Sequence, residues 1–388
     1  MVFNFDLLLE SLPEGTTLVE YIVKMLIMFL IGGVLIYLAI KKDYEPALLL
    51  PIGFGAILTN IPLTSIVSNP ETGDPGIFGM LYDATIANEL FPVLIFIAVG
   101  AMIDFGPLFQ TPFMLFFGAA AQFGIFATMM VALFLGFDLK EAGAIGVIGA
   151  ADGPTTIYVG SAFGLDKSIM GPLTVAAYSY MSMVPIIQPP VIKLLTTKKE
   201  RRIRMNFKQR EVSKLTRILF PIVVTVIAGI IAPESVALIG ALMFGNLIRE
   251  CGVLGRLSET AQTTLANLVT ILLGITIGTT MTAEAFLTKN TILIMLMGLV
   301  AFIFDTAGGV IFAKIINLFR KEKINPMIGA AGISAFPMSA RVIQKMAKDE
   351  DPHNFILMQS VAANVSGQLG SVVAGSMILV LIGRIVGL

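Results

Sequence analysis

Apolar runs of about 20 residues, the length that crosses roughly 30 Å of hydrocarbon, recur near 18–40, 45–62, 89–105, 112–136, 169–192, 215–232, 235–250, 264–285, 290–317 and 355–386. Each predicts a membrane-spanning helix. Two further apolar segments, 142–163 and 324–344, are rich in Gly, Pro, Ser and Thr. Irregular backbone at membrane depth is tolerated only where protein or a wet cavity surrounds it, so these two predict re-entrant hairpins. The polar residues between the runs set the orientation. Lys193 to Arg217 includes Lys198, Lys199, Arg201, Arg202, Arg204, Lys208 and Arg210, whereas Ile61 to Leu90 carries no Lys or Arg. The first segment is read as cytoplasmic and the second as external. Carried through the spans, this places Lys41, Lys42, Arg249, Arg256, Arg320, Lys321 and Lys323 inside, Lys140, Lys167 and Lys289 outside, and the N-terminus outside.

Composition agrees, with 56% hydrophobic and 13% charged residues and a mean hydropathy of +0.88. Soluble domains do not look like this. The start, Met1 to Gly15, has acids but no Lys or Arg, so it lacks the positive region of a cleaved signal peptide and is expected to be kept. One cysteine, Cys251, and one histidine, His353, cannot build a disulfide framework or a Cys/His metal site. A formal charge of +0, with the basic residues gathered in loops, gives no reason to expect nucleic acid. No Gly-x-x-x-x-Gly-Lys-Ser/Thr phosphate loop is present, which argues against ATP as the energy source.

Within the first hairpin, Ile148-Gly-Ala-Ala-Asp152-Gly-Pro-Thr-Thr-Ile-Tyr158 sets a carboxylate among glycines and threonines. A charge at that depth is costly and by default marks an ion or proton pathway. The same segment also repeats. Ile148 to Ser161 aligns with Ile328 to Arg341, beginning with an identical Ile-Gly-Ala-Ala, while Phe54-Gly-Ala-Ile pairs with Phe244-Gly-Asn-Leu and Val99-Gly-Ala-Met with Ile277-Gly-Thr-Thr. The expected organisation is therefore a first membrane repeat, 1–197, a basic cytoplasmic linker, 198–212, and a second repeat, 213–388. Five crossings separate the equivalent spans at 89 and 264, and an odd number inverts the second half. The expected fold is thus an all-α polytopic protein of inverted structural repeats with two re-entrant hairpins, in an elevator-like transporter arrangement. Chance Gly-Ala similarity from small-residue helix packing is the bland alternative.

Three stretches, Glu89-Leu-Phe-Pro-Val-Leu-Ile-Phe-Ile-Ala-Val-Gly-Ala-Met-Ile-Asp104-Phe-Gly-Pro, Gly149-Ala-Ala-Asp152-Gly-Pro-Thr and Asn364-Val-Ser-Gly-Gln-Leu-Gly, carry a resemblance that extends over nearly the whole chain. It resembles the β subunit of the sodium-pumping biotin-dependent decarboxylases, which work on oxaloacetate, methylmalonyl-CoA, glutaconyl-CoA or malonate. The resemblance implies a multi-pass subunit in the cytoplasmic membrane of a prokaryote that decarboxylates carboxybiotin and exports Na⁺. It also implies partners: a carboxyltransferase α subunit, a biotin carrier protein, a small membrane subunit of γ/δ type, and further copies of the chain. The family's intramembrane Asp falls on Asp152, its hairpin Asn, Gly, Ser and Arg on Asn325, Gly329, Ser334 and Arg341, its late Asn on Asn364, and its functional Tyr on Tyr178. This chain has no Met-Lys-Met biotinylation sequence, so biotin is expected on another subunit.

Sodium needs several oxygen ligands, and the residue types fit. Asp152 offers a charge, while Thr155, Thr156, Asn325, Ser334 and Asn364 offer neutral oxygens. Each has a structural alternative: a helix cap for Asp152 and for Asn325 before Pro326, and interhelical glue for Asn364. Ser366 and Ser371 are read as packing residues. Arg341 is read either as a fork for the carboxylate of carboxybiotin, with Ser334 and Gly329 beside it, or as a positive-inside anchor. Tyr178 and Tyr180 are each read as a proton relay or a satisfied packing residue. Asp305 is a second ion site or a structural partner, and Asp104 and Glu89 are boundary charges. A free-standing Na⁺/carboxylate symporter or Na⁺/H⁺ antiporter is the alternative function, and a non-catalytic membrane anchor a weaker third. Neighbouring carboxyltransferase and biotin-carrier reading frames would separate them.

Overall fold

The computed structural model describes residues 12, 16–68, 74–205, 211–231 and 233–387. Most of Met1 to Gly15, together with Lys208 and Arg210, lies outside them. The described chain is all-helical, with no strand beyond an isolated bridge between Ser68 and Pro75. Helix α1 (Leu18–Lys42) starts at Thr17, whose hydroxyl accepts the Glu20 amide at 3.2 Å, and α2 (Pro46–Thr59) packs along it. Two apolar helices bent by 62°, α3 (Ile77–Thr85) and α4 (Leu90–Met102), come next. The pattern reads the first of these as an external loop, because nine residues are too few to show a span. α5 (Pro112–Phe134) is interrupted at Gln122. The first hairpin is α6 (Leu139–Val147), a 3-10 turn over Ile148–Ala150, and α7 (Gly153–Ala162).

The run at 169–192 is two helices, α8 (Lys167–Ser182) and α9 (Val184–Leu195), bent by 69°. Pro185 stands at the first turn of α9 and cannot donate to continue the ladder. Then come α10 (Lys214–Ile231), α11 (Val236–Glu250), α12 (Gly255–Gly278, with a π turn over Ala261–Leu265) and α13 (Lys289–Phe319). The second hairpin is a 3-10 segment, Pro326–Gly332, and α14 (Met338–Glu350), followed by α15 (Leu357–Val386). α14 runs six residues beyond the predicted 344. By length and composition, five helices among the described residues qualify to cross a membrane, or seven if each bent pair counts as one span. That is fewer than the ten crossings read from hydropathy. α2 and α11, at 14 and 15 residues, reach only about 21–23 Å at 1.5 Å per residue.

Small residues set how these helices interlock. α2 packs on α12 and α11 packs on α4. A Cβ at Gly55 would lie 2.9 Å from the Gly278 Cα, and one at Gly245 would lie 2.0 Å from the Ile97 carbonyl oxygen. The glycines that the repeat equates, Gly55 with Gly245 and Gly100 with Gly278, therefore occupy these two crossings. Near the linker, Arg201 meets Glu350 at 2.6 Å, Arg204 meets Asp351 at 2.6 Å, and Lys314 of α13 meets Glu200 at 3.2 Å. The Arg201 and Arg204 guanidiniums hold the Glu350 and Asp351 carboxyls below the usual carboxylate range. The basic linker is thus clasped to the ends of α13 and α14.

Candidate functional site

The two hairpin tips meet at Asp152. Ala151 sits in the left-handed region at φ 52°, a conformation that costs a non-glycine residue about 1–2 kcal/mol, and it turns the chain so that Asp152 caps α7. The Asp152 Oδ1 accepts the Thr155 amide at 3.1 Å, and the Thr156 hydroxyl donates to the Asp152 carbonyl oxygen at 2.8 Å. The cap uses only one carboxylate oxygen. Oδ2 accepts from the Ser371 hydroxyl at 2.6 Å, the Ser334 hydroxyl at 3.0 Å and the Gln368 amide at 3.4 Å. The Ser371 and Ser334 hydroxyls are 3.1 Å apart, and the Ser334 amide donates to the Ala150 carbonyl oxygen at 2.8 Å, joining the tips through the backbone as well. Asp152 is only 3% exposed, and no cationic side chain bonds it among the described residues. It is a buried carboxyl held by neutral donors, whose hydroxyls can turn lone pairs toward a cation.

A cavity of about 200 Å³ opens onto this cluster, lined in part by Asp152, Ser334, Gln368, Tyr178, Phe336 and Glu45. Tyr178 lies against the hairpin so closely that a Cβ at Gly153 would be 2.3 Å from its ring. Its hydroxyl is buried without a hydrogen-bond partner among the described residues. Glu45, between α1 and α2, has its carboxyl pushed upward by burial and by neighbouring Asp43. Asn364 stands behind the second tip, donating to the Ala331 and Ile333 carbonyl oxygens at 3.2 and 2.7 Å, while its own Oδ1 is unpartnered among the described residues.

Other expected site residues are not brought together here. Asn325 takes the cap reading, since its Oδ1 accepts the Met327 amide and its Nδ2 donates to the Arg201 and Ile203 carbonyl oxygens at 2.8 and 2.9 Å. The seven residues of 3-10 helix between it and the tip span about 14 Å at 2.0 Å per residue. Gly329 packs against Gly309 of α13, where a Cβ would sit 1.9 Å from the Gly309 carbonyl oxygen. Arg341 is exposed on the first turn of α14, five residues beyond Phe336, without an ion-pair partner among the described residues. Tyr180 bonds the Met295 carbonyl oxygen and is a satisfied packing residue. Gln368 and Ser371 were missed. Yet Asn364, Gln368 and Ser371 recur at i, i+4 and i+7, one face of α15, and that spacing was the available signal.

The profile of the family described as the Na⁺-transporting oxaloacetate decarboxylase beta subunit matches residues 24–382. The chain is 48% identical over 379 residues to the methylmalonyl-CoA decarboxylase subunit beta of Propionigenium modestum, covering 92% of this chain and 95% of that one. Identity to the glutaconyl-CoA decarboxylase subunit beta of Acidaminococcus fermentans is also 48%, over 98% of this chain and 99% of that one. The oxaloacetate decarboxylase beta chain 2 of Salmonella typhi is 42% identical over 427 residues, covering 96% and 98%.

Proposed function

Since the chain belongs to the family of Na⁺-transporting decarboxylase β subunits, we propose that it couples decarboxylation of carboxybiotin, carried on a partner subunit, to Na⁺ export at the Asp152 cluster. The observation that carries this reading is a single buried carboxylate shared between two hairpin tips, with Ser334 and Ser371 on one oxygen. Asp152 supplies the charge for Na⁺. Ser334, Ser371 and Thr155 supply neutral oxygens, and Asn364 holds the Ile333 carbonyl beside Ser334. Thr156 steadies the turn rather than the ion. Tyr178 holds a proton at its unpartnered hydroxyl on the cavity wall, where decarboxylation consumes one. Arg341, exposed near Phe336, receives the carboxylate of the incoming carboxybiotin. Carboxybiotin supplies the free energy, and moving one charge against the membrane potential costs about 2.3 kcal/mol per 100 mV. Only one or two Na⁺ per turnover fit a reaction yielding several kcal/mol. The proposed partners are a carboxyltransferase α subunit, a biotin carrier, a small γ/δ-type subunit and other copies of the chain, in the cytoplasmic membrane.

We further infer that 1–197 and 213–388 are inverted repeats and that the hairpin-bearing part moves against α2, α4, α11 and α12. Two reciprocal crossings support this, α2 on α12 and α11 on α4. Cysteines at Lys140 and Lys167, in a Cys251→Ser background, should react with a membrane-impermeant thiol reagent only from outside. Those at Lys323 and Lys345 should react only from inside, and a pair split between the sides would turn that hairpin into a crossing and end the inverted reading.

Ser371→Ala removes the shortest bond to Asp152. Hydrogen bonds to charged groups contribute about 1.5–3 kcal/mol, and 1.4 kcal/mol is roughly tenfold. The Na⁺ concentration for half-maximal decarboxylation should therefore rise about tenfold or more, with turnover at saturating Na⁺ largely kept. An unchanged Na⁺ dependence would return Ser371 to packing.

A further inference from the structure

Asp305 stands at the middle of α13 and is 0% exposed. Neither of its carboxyl oxygens has a hydrogen-bond partner among the described residues. The donor that acts on it, the Ile125 amide, is itself bonded to the Gln122 carbonyl oxygen at 3.1 Å, where α5 is interrupted. The carboxyl is seated on Gly124, where a Cβ would fall 1.8 Å from its Oδ1. Two threonines of the same pair of helices share this lack of partners. Helical threonines in this chain commonly bond the carbonyl one turn back, as Thr174 does to Met170 at 2.7 Å and Thr276 to Leu272 at 2.6 Å. Thr306, beside Asp305, and Thr128, one turn from Gly124, leave their buried hydroxyls unpartnered among the described residues.

A structural role would give such a carboxyl a cap, an ion pair or a filled hydrogen-bond network, because a buried polar group without partners is costly. None is present. No charged or titratable side chain of α5, α8, α9 or either hairpin tip acts on it, and the hydroxyl of Tyr180, which packs on α13, is spent on Met295. Position adds a second argument. Ala301, four residues before Asp305, touches Gly149 of the first tip, and Gly309, four residues after, touches Gly329 of the second. Four residues of helix are about 6 Å. Asp305 therefore lies between the contacts α13 makes with both moving tips, and it does not line the Asp152 cavity.

We propose that Asp305 is a second monovalent-cation site, taking H⁺ or Na⁺, set between α13 and the Phe123–Phe134 part of α5 and sensed by both hairpin tips. The inference rests on the reading that the chain moves Na⁺ through Asp152. The assembled complex, reconstituted in vesicles, is assayed with Asp305→Asn and with Asp305→Ala, which empties the seat on Gly124. Both should assemble and lower the Na⁺ moved per CO₂ released, or shift the pH dependence of that ratio, in the same direction. An unchanged ratio and pH profile in Asp305→Asn overturns the proposal. Labelling of the wild-type complex with dicyclohexylcarbodiimide, read by peptide mass, identifies the occupant without needing transport. An adduct on Asp305 that fades with rising pH is expected. Protection by Na⁺ but not by choline assigns Na⁺, and pH dependence alone assigns H⁺. If the variants fail to assemble, an adduct supports the site and its absence at every pH overturns it. A wild-type complex that moves no Na⁺ would remove the Asp152 reading while leaving the labelling interpretable.

Discussion

Asp152→Asn is expected to abolish Na⁺-stimulated decarboxylation by the purified complex while leaving its assembly intact. Asparagine keeps the size of the side chain, and its amide oxygen can still cap α7 through the Thr155 amide, so the first hairpin should hold its turn. What disappears is the negative charge and the acceptor at Oδ2, where Ser371, Ser334 and Gln368 converge. An amide nitrogen there would face hydroxyls already committed as donors, and a cation would lose its one formal countercharge in a buried site. Loss of one strong contact of this kind costs about 3–5 kcal/mol when a buried pair is broken. That corresponds to more than a hundredfold in Na⁺ affinity. Decarboxylation measured against Na⁺ concentration should be flat in the variant. A normal Na⁺ curve with normal turnover would remove Asp152 from the ion path.

Gly329→Ala is expected to act by a different route, through folding. The resemblance places a functional glycine here, and the structure gives it a packing reason. Gly309 and Gly329 approach so closely that each Cβ would penetrate the other's carbonyl, at 1.9–2.0 Å. Both clashing atoms are backbone, so no rotamer change relieves them, and overpacking of this kind costs typically about 1–3 kcal/mol or more. The yield of assembled complex and its thermal midpoint should both fall clearly, while the complex that survives keeps a near-normal Na⁺ requirement. A fully stable complex that has lost carboxybiotin turnover would instead make Gly329 a substrate-contact position.

The parts of this site that were legible in the sequence were those whose signal is local. The helix-breaking Gly-Ala-Ala-Asp152-Gly-Pro run marked a hairpin, and its echo at Ile328 marked the second. Ser334 lies within that echo, and the resemblance names it as a site residue. The contacts of Gln368 and Ser371 with Asp152 cross 216 and 219 residues, and the one sequence signal for them is their helical spacing from Asn364, which does not by itself name a partner. Asn325 has a residue type that suits an ion, and here it caps the 3-10 segment, as Pro326 after it allows, and bonds the carbonyls of the linker. α3 was hidden by its shortness, and the bend after Met183 by a hydropathy that runs unbroken through Pro185. Hydropathy registers apolar length and is blind to direction.

The most direct measurement is the uptake of radioactive Na⁺ into sealed vesicles carrying the whole decarboxylase complex, followed together with CO₂ release. The wild-type complex is expected to accumulate Na⁺ in fixed proportion to CO₂, with accumulation abolished by a sodium ionophore, while Asp152→Asn accumulates none. Accumulation by Asp152→Asn at the wild-type ratio would contradict the account, since Na⁺ would then cross without the carboxylate on which the two hairpin tips converge.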